Sequence, residues 1–327
     1  MREFALAMQT IDLAHLTDAQ FNALYAGRLE PLLVAGDQDR VKAVKTFRQR
    51  LAIGLPVVGA VLIGLWQVAE HPIVAVFVAC MALAVAYTIA YLPLQRVGAQ
   101  MKGVTLAAIA EAVGVSYAGA GAAPEAMPRY RGLNLVPSYD RCRFEDFFHG
   151  ERLGRRFSLC EAVLEEERRD KDGKRSHVTV FRGQLIRIAF PKAFLGVTIV
   201  RRDAGVFNAL RGMGALKRVG LGDTRFERAF EVYSDDQVEA RYLVHLVFME
   251  RLLDLEAHYK GKNLRCAFEQ GDLLLAVEAP DRFEIGDLFK PLADPGRARR
   301  IVDDLADVMK LMDAVLTAEI APLLGRP

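Results

Sequence analysis

The chain has 327 residues, 52% of them apolar, and its 43 lysines and arginines against 41 aspartates and glutamates leave a net charge of +2. A balance so near neutrality excludes the basic excess of a nucleic-acid-binding protein. The four cysteines (Cys80, Cys142, Cys160 and Cys266) form no CxxC pair, which excludes a disulfide framework or zinc pattern and fits a reducing compartment.

Met1–Leu16 carries scattered apolar side chains and reads as a loosely held start. Thr17–Gln20 is a capping box, followed by Phe21, Leu24, Tyr25, Leu29 and Leu32 at helical spacing. Pro31 is expected to break or kink that helix. Asp37 is the expected cap of a second helix, with Val41, Val44, Phe47 and Leu51 on one face and Arg40, Lys42, Lys45, Arg48 and Arg50 around it.

Two apolar runs then follow, Leu51–Ala69 and Ile73–Leu94, separated by Glu70, His71 and Pro72. At ~1.5 Å per residue, about 19 and about 22 residues match a bilayer core of ~30 Å. Neither run carries a charge, so the spacing predicts a transmembrane hairpin that anchors rather than conducts. The first run begins only at Leu51 without a cleavage motif after it, so the hairpin itself is the expected targeting element. Lysines and arginines precede the first run, Arg96 and Lys102 follow the second, and the turn has none. The positive-inside rule then places both flanks in the cytoplasm. Trp66, Tyr87 and Tyr91 suit the interfaces, and Pro56 is expected to bend the first span. Ala60 and Gly64, and Ala82, Ala86 and Ala90, are spaced by four, which lets two helices approach closely. The flanks are expected to emerge side by side as a stalk, the second ending near Gly114.

Ala118–Pro124 is a linker by composition. Tyr130–Asp146 reads as irregular. Phe157–Arg169 and Ser176–Phe190 form a hairpin about Asp170–Arg175, with Gly183 at a bulge or close contact. Gly196–Arg201 is a strand, Phe207–Arg218 is ambiguous, Asp223–Ala229 is a helix and Phe230–Tyr233 a strand. Ser234–Gln237 is a second capping box opening one or two helices. Leu264–Phe268 and Leu273–Val277 form another hairpin, and Asp294-Pro295 opens the last helix. Hairpins interleaved with helices predict an α+β fold with a mainly antiparallel sheet after the N-terminal hairpin. The expected divisions are a helical segment at 1–36, the transmembrane hairpin with its flanks at 37–117, a linker at 118–129 and a soluble domain at 130–327.

Lys102–Tyr117, Phe144–Gly150, Phe181–Ile186 and above all Phe230–Arg241, FEVYSDDQVEAR, resemble a bacterial domain-of-unknown-function family, number 3137. The resemblance spans roughly Leu51 to Ala279 and implies a small membrane-anchored protein with a paired span and a soluble domain. It implies no activity. His245 departs from it, standing where a helix-capping threonine is expected.

Three groups of polar residues invite a chemical reading. Asp235, Asp236 and Glu239, with Ser234, Gln237 and Arg241, offer three carboxylates to a hard cation, or else cap a helix and pair on its surface. Glu145, Asp146 and His149 set a carboxylate beside an imidazole if they lie on a helix, or else pair with nearby arginines. Arg155 and Arg156 belong to a basic region that, with Lys45, Arg48, Arg50 and Arg96, is placed to meet anionic lipid headgroups. No phosphate-binding loop, HExxH or GxSxG is present, and no catalytic, cofactor-binding or metal-ligating role is assigned. The expected function is an inner-membrane-anchored cytosolic binding or scaffold module, with a protein partner or a second copy of itself. The alternatives are a membrane-proximal enzyme, or a subunit of an oligomeric membrane assembly.

Overall fold

The computed structural model describes residues 11–68, 72–121, 123–169, 173–190, 194–202, 216–258, 264–281 and 283–324. The turn at 69–71, the hairpin tip at 170–172 and most of the ambiguous stretch up to 215 lie outside the described residues. The chain divides into two compact units. One comprises Thr17–Ile109 and Glu284–Ile301, the other Met1–Leu16, Ala110–Phe283 and Val302–Pro327.

The first unit is built on two long helices. Thr17 closes the capping box with Gln20 and opens α1 (Asp18–Leu24). A π-helical turn at Tyr25–Leu29 leads into α2 (Glu30–Val68), and α3 is Pro72–Ala112. Pro31 therefore does not end the helix. The wide turn just before it accommodates the ring that would clash in a regular α-turn. That turn holds one extra residue, so the buried stripe continues through Leu29 and Leu33, and Leu32 is exposed. Asp37 starts no helix either. It sits within α2, where its carboxylate accepts from Arg40 and from the Leu292 amide.

The helices meet along a narrow seam. On α3 it runs through buried Ala75, Ala79 and Ala90 and half-buried Ala82 and Ala86. On α2 it follows half-buried Leu51, Gly54, Val58, Leu62 and Leu65. A Cβ on Gly54 would lie 3.4 Å from that of Ala86. The alanine spacing on α3 thus serves the pairing, whereas Ala60 and Gly64 are exposed and lie off the seam by helical phase. The first flank packs on the inner end of the second apolar run. Phe47 packs edge-on to Tyr87 and Tyr91, at 5.8 and 6.2 Å, and Ala43, Val44, Phe47, Ala90 and Leu94 form one cluster.

Outside the seam the two helices expose large apolar side chains. They include Ile53, Val57, Ile63 and Trp66 on α2 and Val74, Val76, Phe77, Met81, Val85 and Ile89 on α3, with Ile73 80% exposed. Both helices are long and apolar enough to cross a membrane.

The second unit holds a sheet. Its strands are β1 (Ser116–Ala118), β2 (Arg141–Arg152), β3 (Arg155–Arg169), β4 (Arg175–Ala189), β5 (Thr198–Arg202), β6 (Lys217–Val219), β7 (Phe230–Ser234), β8 (Leu264–Glu269) and β9 (Asp272–Glu278). Among the described residues they form one antiparallel sheet in the order β1-β2-β3-β4-β9-β8-β5-β7-β6. The helices are α4 (Met127–Gly132), α5 (Thr224–Ala229), α6 (Gln237–Leu243), α7 (Leu246–His258) and α8 (Pro295–Leu324), whose first turns belong to the other unit. Tyr130–Asp146 is irregular only in its middle, at 133–140. It holds the end of α4 and the start of β2, whose alternation is broken by a bulge between Glu145 and Phe148.

One face of the sheet packs Phe144, Cys160, Ala162, Leu164, Leu185, Ile199, Ala267 and Leu274 against Met127 and Tyr130 of α4. The buried Tyr130 hydroxyl donates to the Ile186 carbonyl at 2.6 Å. Arg129 ties α4 to the β8–β9 turn through Glu269 and Asp272, at 2.6 and 2.5 Å. On the other face Phe248 of α7 lies against Phe268, and Phe148 against Phe283, both at 5.3 Å.

Candidate functional site

The acidic block of FEVYSDDQVEAR is spent on the backbone. Ser234 does not cap the helix. Its hydroxyl meets Thr198 Oγ1 at 3.0 Å and accepts from the Asp236 amide. The cap is Asp236, which accepts from the amides of Val238 and Glu239 at 2.9 Å each and opens α6. The carboxylate of Asp235 accepts from the Val197 amide at 2.7 Å, and Glu239 accepts from those of Leu195 and Gly196 at 2.8–2.9 Å. A Cβ on Gly196 would lie 2.1 Å from Asp235 Oδ1, so glycine is required for this approach. Gln237 and Arg241 donate to carbonyls of residues 217–220 and, for Arg241, also of Gln237. The block is a clamp that fixes the loop before β5 and the strand at the sheet edge, with its three carboxylates engaged at separate backbone groups. His245 also caps a helix: its Nδ1 accepts from the Phe248 amide at 3.4 Å.

Glu145, Asp146 and His149 lie on β2, not on a helix, and the bulge sends them apart. Glu145 pairs with Arg143 at 2.9 Å. Asp146, at φ 51°, is buried and accepts from the Tyr117 hydroxyl at 2.8 Å. Burial, and then the Asp146 charge, push the Tyr117 phenol well above its ordinary range. His149 instead faces outward opposite Ser158, which pairs in turn with Arg187 across β3 and β4.

This row borders a cavity of about 640 Å³ beside the start of α4, lined by His149, Glu151, Arg156, Ser158, Arg187 and Glu125 among others. Arg187 is held by Asp272 at 2.8 Å and reaches Glu125 at 3.3 Å. Among the described residues Arg155 and Arg156 have no acidic partner. Only His149 and Arg156 of the residues singled out from sequence line the cavity. Ser158 and Arg187 were not singled out, although each faces the same side as His149 by strand alternation. The basic hairpin of β3 and β4 pairs its own charges, Arg168 with Glu166 and Arg175 with Glu167.

In the helical unit, Arg50 donates to the carbonyl of Ile89 at 3.0 Å. Ile89 is four residues before Pro93, which lies inside α3 and has no N–H to offer it. Arg50 therefore serves a carbonyl orphaned by the proline. Lys45, Arg48 and Arg96 are exposed, with no acidic partner among the described residues. No group of His, Cys, Asp and Glu able to hold a metal occurs among the described residues.

Comparison with curated proteins yields no match. A solved structure, that of the mycobacterial trehalose monomycolate transport factor A, TtfA, aligns with 64% of this chain and 95% of its own, at 14% identity and a TM-score of 0.33. Residues 179–316, from β4 into α8 and across the Phe230–Arg241 block, match the model of a family described as protein of unknown function, DUF3137. Over that segment the chain is similar to the DUF3137 family.

Proposed function

We propose that the chain is an inner-membrane-anchored binding or scaffold module whose sheet unit works in the cytoplasm. The observation that carries the reading is the belt of exposed apolar side chains on α2 and α3. Such a surface is unstable in water and is at rest in lipid. The basic flanks Lys45, Arg48, Arg50 and Arg96 support the inward orientation. The cavity bordered by His149, Arg156, Ser158 and Arg187 supports the binding role, since Arg156, which stands opposite Glu151 but makes no ion pair among the described residues, can offer its guanidinium to an acidic group of a partner.

Alkaline carbonate extraction of membranes from cells producing the chain tests the anchor. The protein stays in the pellet and is released by detergent. Release by carbonate alone overturns the reading. For the binding role, a photo-crosslinker at His149 is expected to capture a partner in native membranes, and Arg156→Glu to abolish the capture.

A further inference from the structure

We infer that a groove on α2 holds the headgroup of an anionic phospholipid. The inference rests on the membrane-anchor reading and deepens it. The groove has a volume of about 400 Å³ and is lined by Arg40, Val41, Val44, Lys45, Arg48, Gln49 and Phe289, all within the helical unit. Its wall is built. Arg40 pairs with Asp37 at 2.6 Å and donates to the carbonyls of Leu288 and Phe289 at 3.5 and 3.4 Å. The Phe289 ring meets Phe47 at 5.4 Å, remains 44% exposed and lines the groove.

Two features select the occupant. First, Lys45 and Arg48 stand three apart, on one face of α2, and among the described residues neither has an acidic partner. Arg40 is neutralised by Asp37, so the groove keeps two uncompensated cations. Second, the groove lies at the right depth. Arg48 precedes Leu51, where the apolar belt begins, by three residues, and Lys45 by six. Counted along α2 at ~1.5 Å per residue these charges stand about 5 and 9 Å before its apolar run, and Phe47 between them packs on Tyr87 and Tyr91 at the inner end of the α3 run, so they lie in the interfacial zone where hydrocarbon gives way to headgroups. Val41, Val44 and Phe289 supply an apolar wall for the glycerol and upper acyl carbons, while the cations meet the phosphate. A phosphodiester that also carries an acyl chain satisfies both halves. Free phosphate satisfies only one.

The test uses the full chain in detergent, with native mass spectrometry counting retained lipid. Phosphatidylglycerol is the probe, phosphatidylcholine the zwitterionic reference and inorganic phosphate the free-anion competitor. Phosphatidylglycerol is expected to be retained in preference to phosphatidylcholine. Each of Lys45→Gln and Arg48→Gln is expected to lower that retention by about fivefold. Lys45→Arg with Arg48→Lys is expected to preserve it, as is Arg155→Gln, which separates the site from general charge. Equal retention by the double glutamine variant overturns the inference, and so does displacement by inorganic phosphate at concentrations matching the lipid. A protein that stays in the carbonate pellet but shows no headgroup preference refutes this site and leaves the anchor standing. One that leaves the pellet refutes the anchor itself.

Discussion

Two glycines carry much of the sheet unit's specificity, each through a close approach. A Cβ on Gly183 would lie 2.0 Å from the Val277 carbonyl oxygen, and the obstacle is the backbone of a neighbouring strand. Nothing flexible can yield there. Gly183→Ala is expected to destabilise the protein by ~3 kcal/mol or more, read as a lowered thermal midpoint of the detergent-solubilised chain. Gly196 differs, because the obstacle is the Asp235 carboxylate. Gly196→Ala must push that side chain away and break its bond to the Val197 amide. The cost is expected to be about 1–2 kcal/mol, and smaller in an Asp235→Ala background, where the obstacle is already gone. Additive losses in that double-mutant cycle refute the clamp.

Among the elements, the hairpin helices show what a sequence displays and what it hides. The two apolar runs, the Thr17 cap, the β3–β4 and β8–β9 hairpins and the α8 start were all legible, because each rests on local pattern or local turn chemistry. The π-helical turn before Pro31 was not, since one extra residue shifts every later position of a helical stripe. The start of β2 was hidden by its bulge, and the chemistry of Glu145, Asp146 and His149 was misplaced for the same reason. The roles of Asp235 and Glu239 were beyond reach, because their partners are amides some 40 residues away, at 195–197. Asp37 illustrates the point again. Its carboxyl is held below its ordinary value first by the hydrogen bond from Arg40, and further by the Leu292 amide and the neighbouring arginines. Because its folded pKa is depressed, its contribution is present above about pH 4 and is lost as pH falls through the folded value. The segment around Leu292 is therefore expected to exchange its amides faster in acid than the rest of the helical unit. Asp37→Asn should make that exchange fast at neutral pH and abolish the acid dependence. Hydrogen exchange read by mass spectrometry checks both. The Pro93–Arg50 pair offers a parallel test in the spans. Arg50→Met is expected to weaken the hairpin by about 1 kcal/mol, and Pro93→Ala, which returns an N–H to the Ile89 carbonyl, to relieve most of that loss.

For the whole molecule, the proposed anchor raises the question of which side of the membrane the sheet unit occupies. The proposal places it in the cytoplasm on a physical ground, since lysines and arginines flanking a short apolar hairpin resist translocation. The protein's own thiols can report it. Cys142 is exposed on β2, whereas Cys160 and Cys266 are buried, and burial pushes the Cys160 thiol up to about 12. A buried thiol of that kind stays protonated and unreactive near neutrality. Cys80 is exposed in the structure but lies in the middle of the α3 apolar belt, where on the proposed anchor lipid would shield it from a charged reagent. A membrane-impermeant maleimide therefore reads Cys142. Intact cells producing the chain, their outer envelope opened but the inner membrane sealed, are expected to leave it unlabelled. Permeabilising the inner membrane should bring full labelling, and Cys142→Ser should remove it. A cysteine placed at Glu70, between the two apolar runs in sequence, is expected to label before permeabilisation in the same cells. Labelling of Cys142 with Glu70→Cys silent would invert the hairpin. It would also move the α2 groove to the outer leaflet, where the anionic lipid must then be sought.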